Sequence, residues 1–540
     1  MKKIILNELD ETIMLSPDME RYNQLSQVTL TLDEEEGNLT EDKAKHLLRR
    51  ITFGPTPNEV NLIKDRPISE VVDELLGDGL DYLPQNSNRL PDGSETLNWI
   101  NTVEEDPSKV YVTIRSTIEA IHQTRYAQFV DWWINLMSTD IITDNNKIVT
   151  ERLTFFWHTH WCIEFSYDTQ GYIPPPIIYR SNQSIRKHRL GNFKKFVEEM
   201  TLDGAYLLYQ SLNLSSGKNP NENYAREMME LFTMGIGNYS EGDIREAARA
   251  LTGWRVSAHR QDPKPFEFFD TYFSAKDHDL DSKQIMGETI AARAEEDNTL
   301  DKVREGEVYG LIDILFRRRP EPIARFICTK IYSHFVYSNP SKYDQLFINE
   351  LATEFIANNF ELLPVFRKLF KSKHFYEKAN IGVQIKQPVE LITNLEKLLK
   401  VNYTNSSAAL DDLEQVIYDP PNVSGWSGYR SWISTKTYPR RVNHLKNLIG
   451  NKTNAAWMIF LSEFPSPSNF DIVFKELIEY TLPKTVTPER ITILKNRIEG
   501  ISNVNTNNWT QAYNSSSDDI GKFLNTFFQE LIRVPDIHLS

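Results

Sequence analysis

Residues 221–237, NENYAREMMELFTMGIG, decide how the rest of the chain is read. On a helical wheel of about 100° per residue, Tyr224, Ala225, Met228, Met229, Leu231 and Phe232 gather on one side. Glu222, Asn223, Arg226, Glu227 and Glu230 gather on the other. That separation defines an amphipathic helix, and its polar face admits two readings. Glu222, Arg226 and Glu230 stand at i, i+4 and i+8, so one guanidinium can bridge two carboxylates on a solvated surface, each pair contributing about 0.3–0.5 kcal/mol. In the second reading, neighbouring segments enclose the same charges and form a polar site. Those charges must then be paired or bind a ligand, because unpaired buried ions are costly.

The next stretch, SEGDIREAARALTGW (240–254), reads as a second helix. Ser240 and Asp243 make a capping-box start, Ile244, Ala247, Ala248 and Leu251 form the buried stripe, and Gly253 supplies the left-handed residue after the end. Arg245 and Arg249 lie one turn apart. They either hold an acidic group of a ligand or pair with Glu222, Glu227 or Glu230.

Helical spacing continues outward in both directions. Thr40 is a candidate N-cap for a helix containing Lys43 to Arg50, and FGPTPNEV (53–60) makes a turn and starts another. Val308, Leu311, Ile312 and Leu315 fall at i, i+3, i+4 and i+7, and Ile392, Leu395 and Leu399 repeat the pattern after Pro388. Residues 255–300 depart from it, with PFEFFDTYFS (265–274) as a short strand or hairpin between polar loops. NTNNWTQAYNSSSDD (505–519) is the most loop-like segment. The expected fold is therefore mainly α: a large multi-helix single domain over residues 41–540, with a small β-hairpin or loop insertion near 255–300 and a C-terminal helical part over 440–540. Residues 1–40 read as an acidic, partly extended and solvated lead-in.

Composition narrows the function classes. The 540 residues are 40% hydrophobic and 25% charged, near the globular norm. A net charge of −15 argues against broad binding to nucleic acid or anionic membranes, which depends on clustered Lys and Arg. Two cysteines without a Cys-x-x-Cys exclude a disulfide framework and a Cys-rich zinc site. No run is long and apolar enough for a transmembrane segment. The N-terminus, MKKIILNELDETIMLSPDME, does not read as a signal peptide, so a cytoplasmic location is the expectation. Serine-hydrolase, phosphate-loop and dinucleotide fingerprints are all missing.

HLLRRITFGPTPNEV, LTFFWHTHW, HRLGNF, the 221–254 region, HDLDSKQIMG, KQPVEL, PPNVSGWSGYRSW and LIRVPDIHLS occur in order from about Lys43 to the C-terminus. Together they resemble the bacterial family catalogued as domain of unknown function 1800. The resemblance implies a bacterial, mostly helical protein but no particular reaction. It also implies a companion protein of the sulfatase and phosphatase class, and relatives that are often exported. The set Asn223, Arg226, Glu227 and Glu230 is part of what makes the motif recognisable, which gives weight to the enclosed reading.

Within the motifs, His158 and His160 are the natural metal candidates. Val149, Leu153, Phe156, His160 and Ile163 share one helical arc, whereas Glu151, Phe155, His158 and Cys162 share the other. Only one histidine then reaches a common site, and His158 is the choice because Glu151 and Cys162 lie on its side. His278, Asp279 and Lys283 of KDHDLDSK offer a further metal ligand or an anion holder. Asp277, Asp279 and Asp281 alternate as in calcium loops, but the glycine and distal glutamate of such loops are absent. Trp426, Tyr429 and Trp432 could stack on a sugar or aromatic ligand, or pin a long loop to the core.

Two functional readings follow. In the first, an enzyme carries a polar, metal-assisted hydrolytic or redox site between helices. His158, Arg226, Glu227 and Glu230 are its catalytic candidates; His158, Glu227, Glu230 and His278 would hold a divalent metal; and Arg245, Arg249, Lys283 and Trp426 would hold a small-molecule or saccharide ligand. In the second, a non-catalytic helical scaffold uses the same charges as structural salt bridges.

Overall fold

The computed structural model describes residues 31–78, 115–141, 145–165, 175–256, 271–401 and 406–540, except 451, 485, 501 and 502, together with residues 21 and 173. Helices form where apolar residues recur at helical spacing, so the architecture is mainly α. Thr40 caps the helix Glu41–Ile51 by accepting from Lys43 N. Thr56 and Glu59 close a capping box on Pro57–Ile63. Val308, Leu311, Ile312 and Leu315 are fully buried, and Ile392, Leu395 and Leu399 are nearly so. One contiguous apolar cluster runs from Leu39 to Ile537.

The β-strands among the described residues form two antiparallel pairs. Trp254–Val256 pairs with Thr271–Phe273, and Lys283–Ile285 with Glu288–Ile290. The first pair contains the end of the stretch read as a strand or hairpin; residues 265–270 of that stretch lie outside the described residues. No helix of the described residues is long and apolar enough to cross a membrane.

Two local expectations change. Trp509, in the stretch read as loop-like, is fully buried and draws a short helix, Trp509–Asn514, onto the core. Arg21, within the stretch read as solvated, is buried, and its guanidinium donates to both Asp344 oxygens at 2.6 and 3.0 Å.

Buried ion pairs fix helix register around the Asn145–His160 helix. Arg186 donates to both carboxylate oxygens of Glu151 (2.9 and 2.7 Å), and Trp133 Nε1 adds a bond of 2.7 Å. On another face Arg152 Nε donates to the Arg50 carbonyl at 3.2 Å. Lys397 reaches Glu59 at 2.8 Å and the Gly54 carbonyl at 2.6 Å, tying the FGPTPNEV turn to the Pro388–Leu399 helix.

Candidate functional site

Four segments from distant parts of the sequence line an open cavity of about 250 Å³. The Asn145–His160 helix contributes Phe156, Thr159 and His160 from its last turns. The Pro320–Phe335 helix, started by proline at its first position, contributes Lys330 and His334, one turn apart. Gln384 and Gln387 come from the segment leading into the Pro388–Leu399 helix, Glu390 from its first turn, and Trp426, Tyr429 and Trp432 from the loop at 424–432.

The backbone of these segments is held closely. Gln384 Nε2 donates to the carbonyls of Ser333 (2.7 Å) and His334 (3.0 Å), while its Oε1 accepts from Ser338 N (2.8 Å), so it clamps the end of the Pro320–Phe335 helix. Gly425 has φ +82°, and a Cβ there would stand 2.8 Å from Cys162 Sγ and 3.1 Å from the Thr159 carbonyl. Only glycine lets this loop approach the end of the histidine-bearing helix. The Cys162 thiol is buried, and burial pushes its pKa up to about 12, so it is not a nucleophile.

His160 is the best-defined chemical group on the wall. Its Nε2 lies 3.1 Å from the Phe232 carbonyl. A carbonyl can only accept, so Nε2 carries the hydrogen. Burial, followed by the charge of Lys330, lowers the His160 pKa well below 6.5, against the opposing pull of the Phe232 carbonyl. The ring is therefore neutral, and Nδ1 bears a lone pair. That nitrogen is buried and has no partner among the described residues.

The Phe232 carbonyl is presented by an irregularity in the signature helix. After Glu222–Glu227 the chain widens into a π turn over Met228–Thr233, with Met234 N bonded to Met229 O at 3.1 Å. Such turns recur at functional sites. Thr233 Oγ1 donates to Met228 O at 2.6 Å within the turn, and the Phe232 ring packs on Trp161 at 4.8 Å. The two most recognisable motifs thus meet through a backbone carbonyl, and not through the motif's carboxylates.

Charge around the cavity is uneven. Glu390 Oε2 lies 3.6 Å from Arg152 Nη2, and its Oε1 is buried without a partner among the described residues. Arg50, Lys386 and Arg441 are buried within electrostatic range of the same carboxylate. Burial, partly offset by Glu390, lowers the Lys386 pKa to about 7. His334 is held neutral by burial and then by Arg152 and Arg50, which lower its pKa well below 6.5.

The residues singled out from sequence are dispersed. His158 is fully buried in an aromatic box, with ring centroids 5.3 Å from Trp133, 4.3 Å from Tyr418 and 5.7 Å from Trp426. Both its nitrogens lack partners among the described residues, and burial lowers its pKa to about 3. Of the two histidines in this helix it is His160 that lines the cavity, because the cavity lies on the arc of Phe156 and not on that of Glu151.

Arg226 forks onto Glu241 at 2.8 and 2.7 Å and stands 3.8 Å from both Glu222 and Glu230. Tyr239 donates to Glu230. Glu227 is half-buried, and burial and the Glu230 charge raise its pKa, against Arg226. Arg245 is exposed. Arg249 pairs with Asp279 (2.9 Å) and Glu246 (2.8 Å), so its partners come from the insertion and its own helix and not from the 222–230 face.

Lys283 and His278 close on Glu307, at 2.6 and 3.1 Å. The set His158, Glu227, Glu230 and His278 is not gathered, and among the described residues no three His, Cys, Asp or Glu side chains are placed to hold a metal ion. Of the ligand-holding candidates, Trp426 lines the cavity. The sequence reading does not single out Lys330, His334 or Glu390; the KQPVEL motif, which contains Glu390, is the signal nearest to them.

A family model described as "Protein of unknown function (DUF1800)" matches residues 46–530. No curated protein and no solved structure matches the chain.

Proposed function

The chain belongs to the DUF1800 family of proteins of unknown function, and on that premise we propose that it is an enzyme whose polar site between helices is the cavity at His160. The observation that carries this reading is the convergence of a neutral imidazole, Glu390 and the rings of Trp426 and Trp432 on one cavity wall, with the His160 Nε2–H fixed on the Phe232 carbonyl.

The test is saturation-transfer NMR on the full chain with a panel of small polyols, carboxylic acids and amines, repeated on Ser333→Phe. Ser333 lines the cavity, and the larger ring fills it. Ligands that lose their signal in the variant support the reading, whereas a panel without one overturns it.

The scaffold reading rests on the two-pronged Arg226–Glu241 contact, which ties the signature helix to its successor at the surface. In that reading the protein serves a sulfatase-like companion. Co-expression with such a companion and gel filtration distinguish the two: a complex that forms with wild type and Ser333→Phe, but not Arg226→Ala, supports the scaffold.

A further inference from the structure

Resting on the cavity reading above, we propose that the cavity takes a small oxyanion, with Lys330 as its counter-ion and uncharged N–H and O–H groups of the wall serving its oxygens. Five side-chain donors lining the cavity are uncommitted: Lys330 Nζ, Ser333 Oγ, Gln387 Nε2 and the indole nitrogens of Trp426 and Trp432. None has a hydrogen-bond partner among the described residues, and each keeps accessible surface. His160 Nδ1, His334 Nε2 and Glu390 Oε1 are by contrast enclosed by protein and make no contact with a ligand.

The amide and carboxylate oxygens of the same wall are spent. Gln384 Oε1 accepts from Ser338 N (2.8 Å) and Ser338 Oγ (2.6 Å). Gln387 Oε1 accepts from Gln415 Nε2 at 2.7 Å, which leaves its own amide nitrogen as the free end. Glu390 is turned to Arg152, 3.6 Å away. A wall with donors to spare and its strong acceptors used fits a ligand whose outer atoms are oxygens with lone pairs.

Charge selects the sign of that ligand. Lys330 is half-buried, and among the described residues no carboxylate lies within ion-pair distance of its ammonium; its contact is the face of Phe326, at 5.0 Å from the ring centroid. Burial lowers its pKa from the ordinary 10.5, the mark of a charge desolvated without a counter-ion. His160 and Cys162, within range of it, are uncharged. Deeper in, Arg50, Arg152, Lys386 and Arg441 surround the single carboxylate of Glu390. A cationic ligand would meet positive charge on both sides, whereas an oxyanion relieves it. Phosphate, sulfate and carboxylate groups share this chemistry.

Isothermal titration of the full chain at low ionic strength separates them, with inorganic phosphate, sulfate and acetate as probes, glycerol as the neutral control and methylammonium as the cationic one. At least one oxyanion should bind saturably and at least about tenfold more tightly than either control, the order of one charge-assisted hydrogen bond. Lys330→Met should weaken that binding at least about tenfold, and Lys330→Arg should restore it, a pattern that lost packing alone does not give. At least one of Ser333→Ala and Trp426→Phe, each of which removes a single neutral donor, should weaken it about two- to tenfold with an unchanged melting temperature.

The tightest of the three probes identifies the group: phosphate or sulfate a tetrahedral one, acetate a carboxylate. Lys330→Met binding like wild type, a control matching the oxyanions, or silence from all three oxyanions overturns the proposal. Oxyanion binding that Ser333→Phe leaves unchanged lies outside the cavity and overturns it too. The cavity reading falls separately, when no polyol, acid or amine loses its saturation-transfer signal in Ser333→Phe.

Discussion

Glu307 offers the sharpest test of how the insertion around residues 271–298 is held to the helical body. Its side chain is fully buried and accepts from Lys283 Nζ (2.6 Å), Arg293 Nε (2.8 Å) and His278 Nε2 (3.1 Å). The other His278 nitrogen lies 2.9 Å from the Thr252 carbonyl. Burial alone would raise the Glu307 pKa, but hydrogen bonds from His278, Lys283 and Arg293 outweigh it and hold the carboxyl at about 2. The fall from the ordinary 4.5 to about 2 corresponds, at about 1.36 kcal/mol per pH unit, to about 3 kcal/mol of stability.

Because the folded-state pKa is depressed, this stability is fully present above the unfolded value and is lost as pH falls from about 4.5 through about 2. Glu307→Gln keeps the shape and removes the charge. Hydrogen exchange of peptides spanning 275–310 at pH 7 should show protection reduced by about a hundredfold, since about 1.4 kcal/mol is a factor of ten. The gap between variant and wild type should narrow steadily below pH 4.5. Protection within twofold of wild type at pH 7, or a gap unchanged near pH 2.5, would refute the assignment of Glu307 as the anchor.

Gly425→Ala should lower the melting temperature through about 1–3 kcal/mol of overpacking against Cys162 Sγ, and Cys162→Ala in the same chain should recover part of that loss. Arg226→Ala should cost less than about 1 kcal/mol in urea unfolding because its pairs are solvent-exposed; Arg186→Ala, which strands the fully buried Glu151, should cost about 3–5 kcal/mol. His158 has a folded-state pKa depressed to about 3, so it erodes stability as pH falls below about 6.5, by about 3 kcal/mol at pH 4. His158→Leu should flatten that acid limb in a series of thermal melts, and an unchanged limb would show that His158 is not held neutral.

The fold was legible because its determinants are local. Thr40, Thr56 with Glu59, and Ser240 with Asp243 act within one helical turn, and the buried stripes at 308–315 and 392–399 repeat with the helical period. Trp509 shows where that logic ends. Its flanking Asn and Ser residues favour loop structure, but its ring meets Phe470 and Phe523 at 5.3 and 5.2 Å, partners that no local pattern identifies. The insertion was visible as an interruption of helical spacing, but its second strand pair, Lys283–Ile285 with Glu288–Ile290, was not. The three residues of each strand give too short an alternation to read.

The site was less legible for a physical reason that the signature helix makes plain. A wheel assumes one angular step throughout, and the π turn over Met228–Thr233 breaks that assumption at the point where the helix meets His160. The wheel directs attention to the carboxylates of Glu227 and Glu230, yet the helix meets His160 through the Phe232 carbonyl, a group every residue carries and no sequence pattern marks. The arcs of the Asn145–His160 helix did separate its two histidines, but which arc faced a cavity depended on Lys330, Gln384 and Trp426, far away in sequence. Glu151, the reason for preferring His158, was committed to Arg186 and Trp133. A carboxylate beside a histidine in sequence is therefore weak evidence for a shared site until its cationic partners are known.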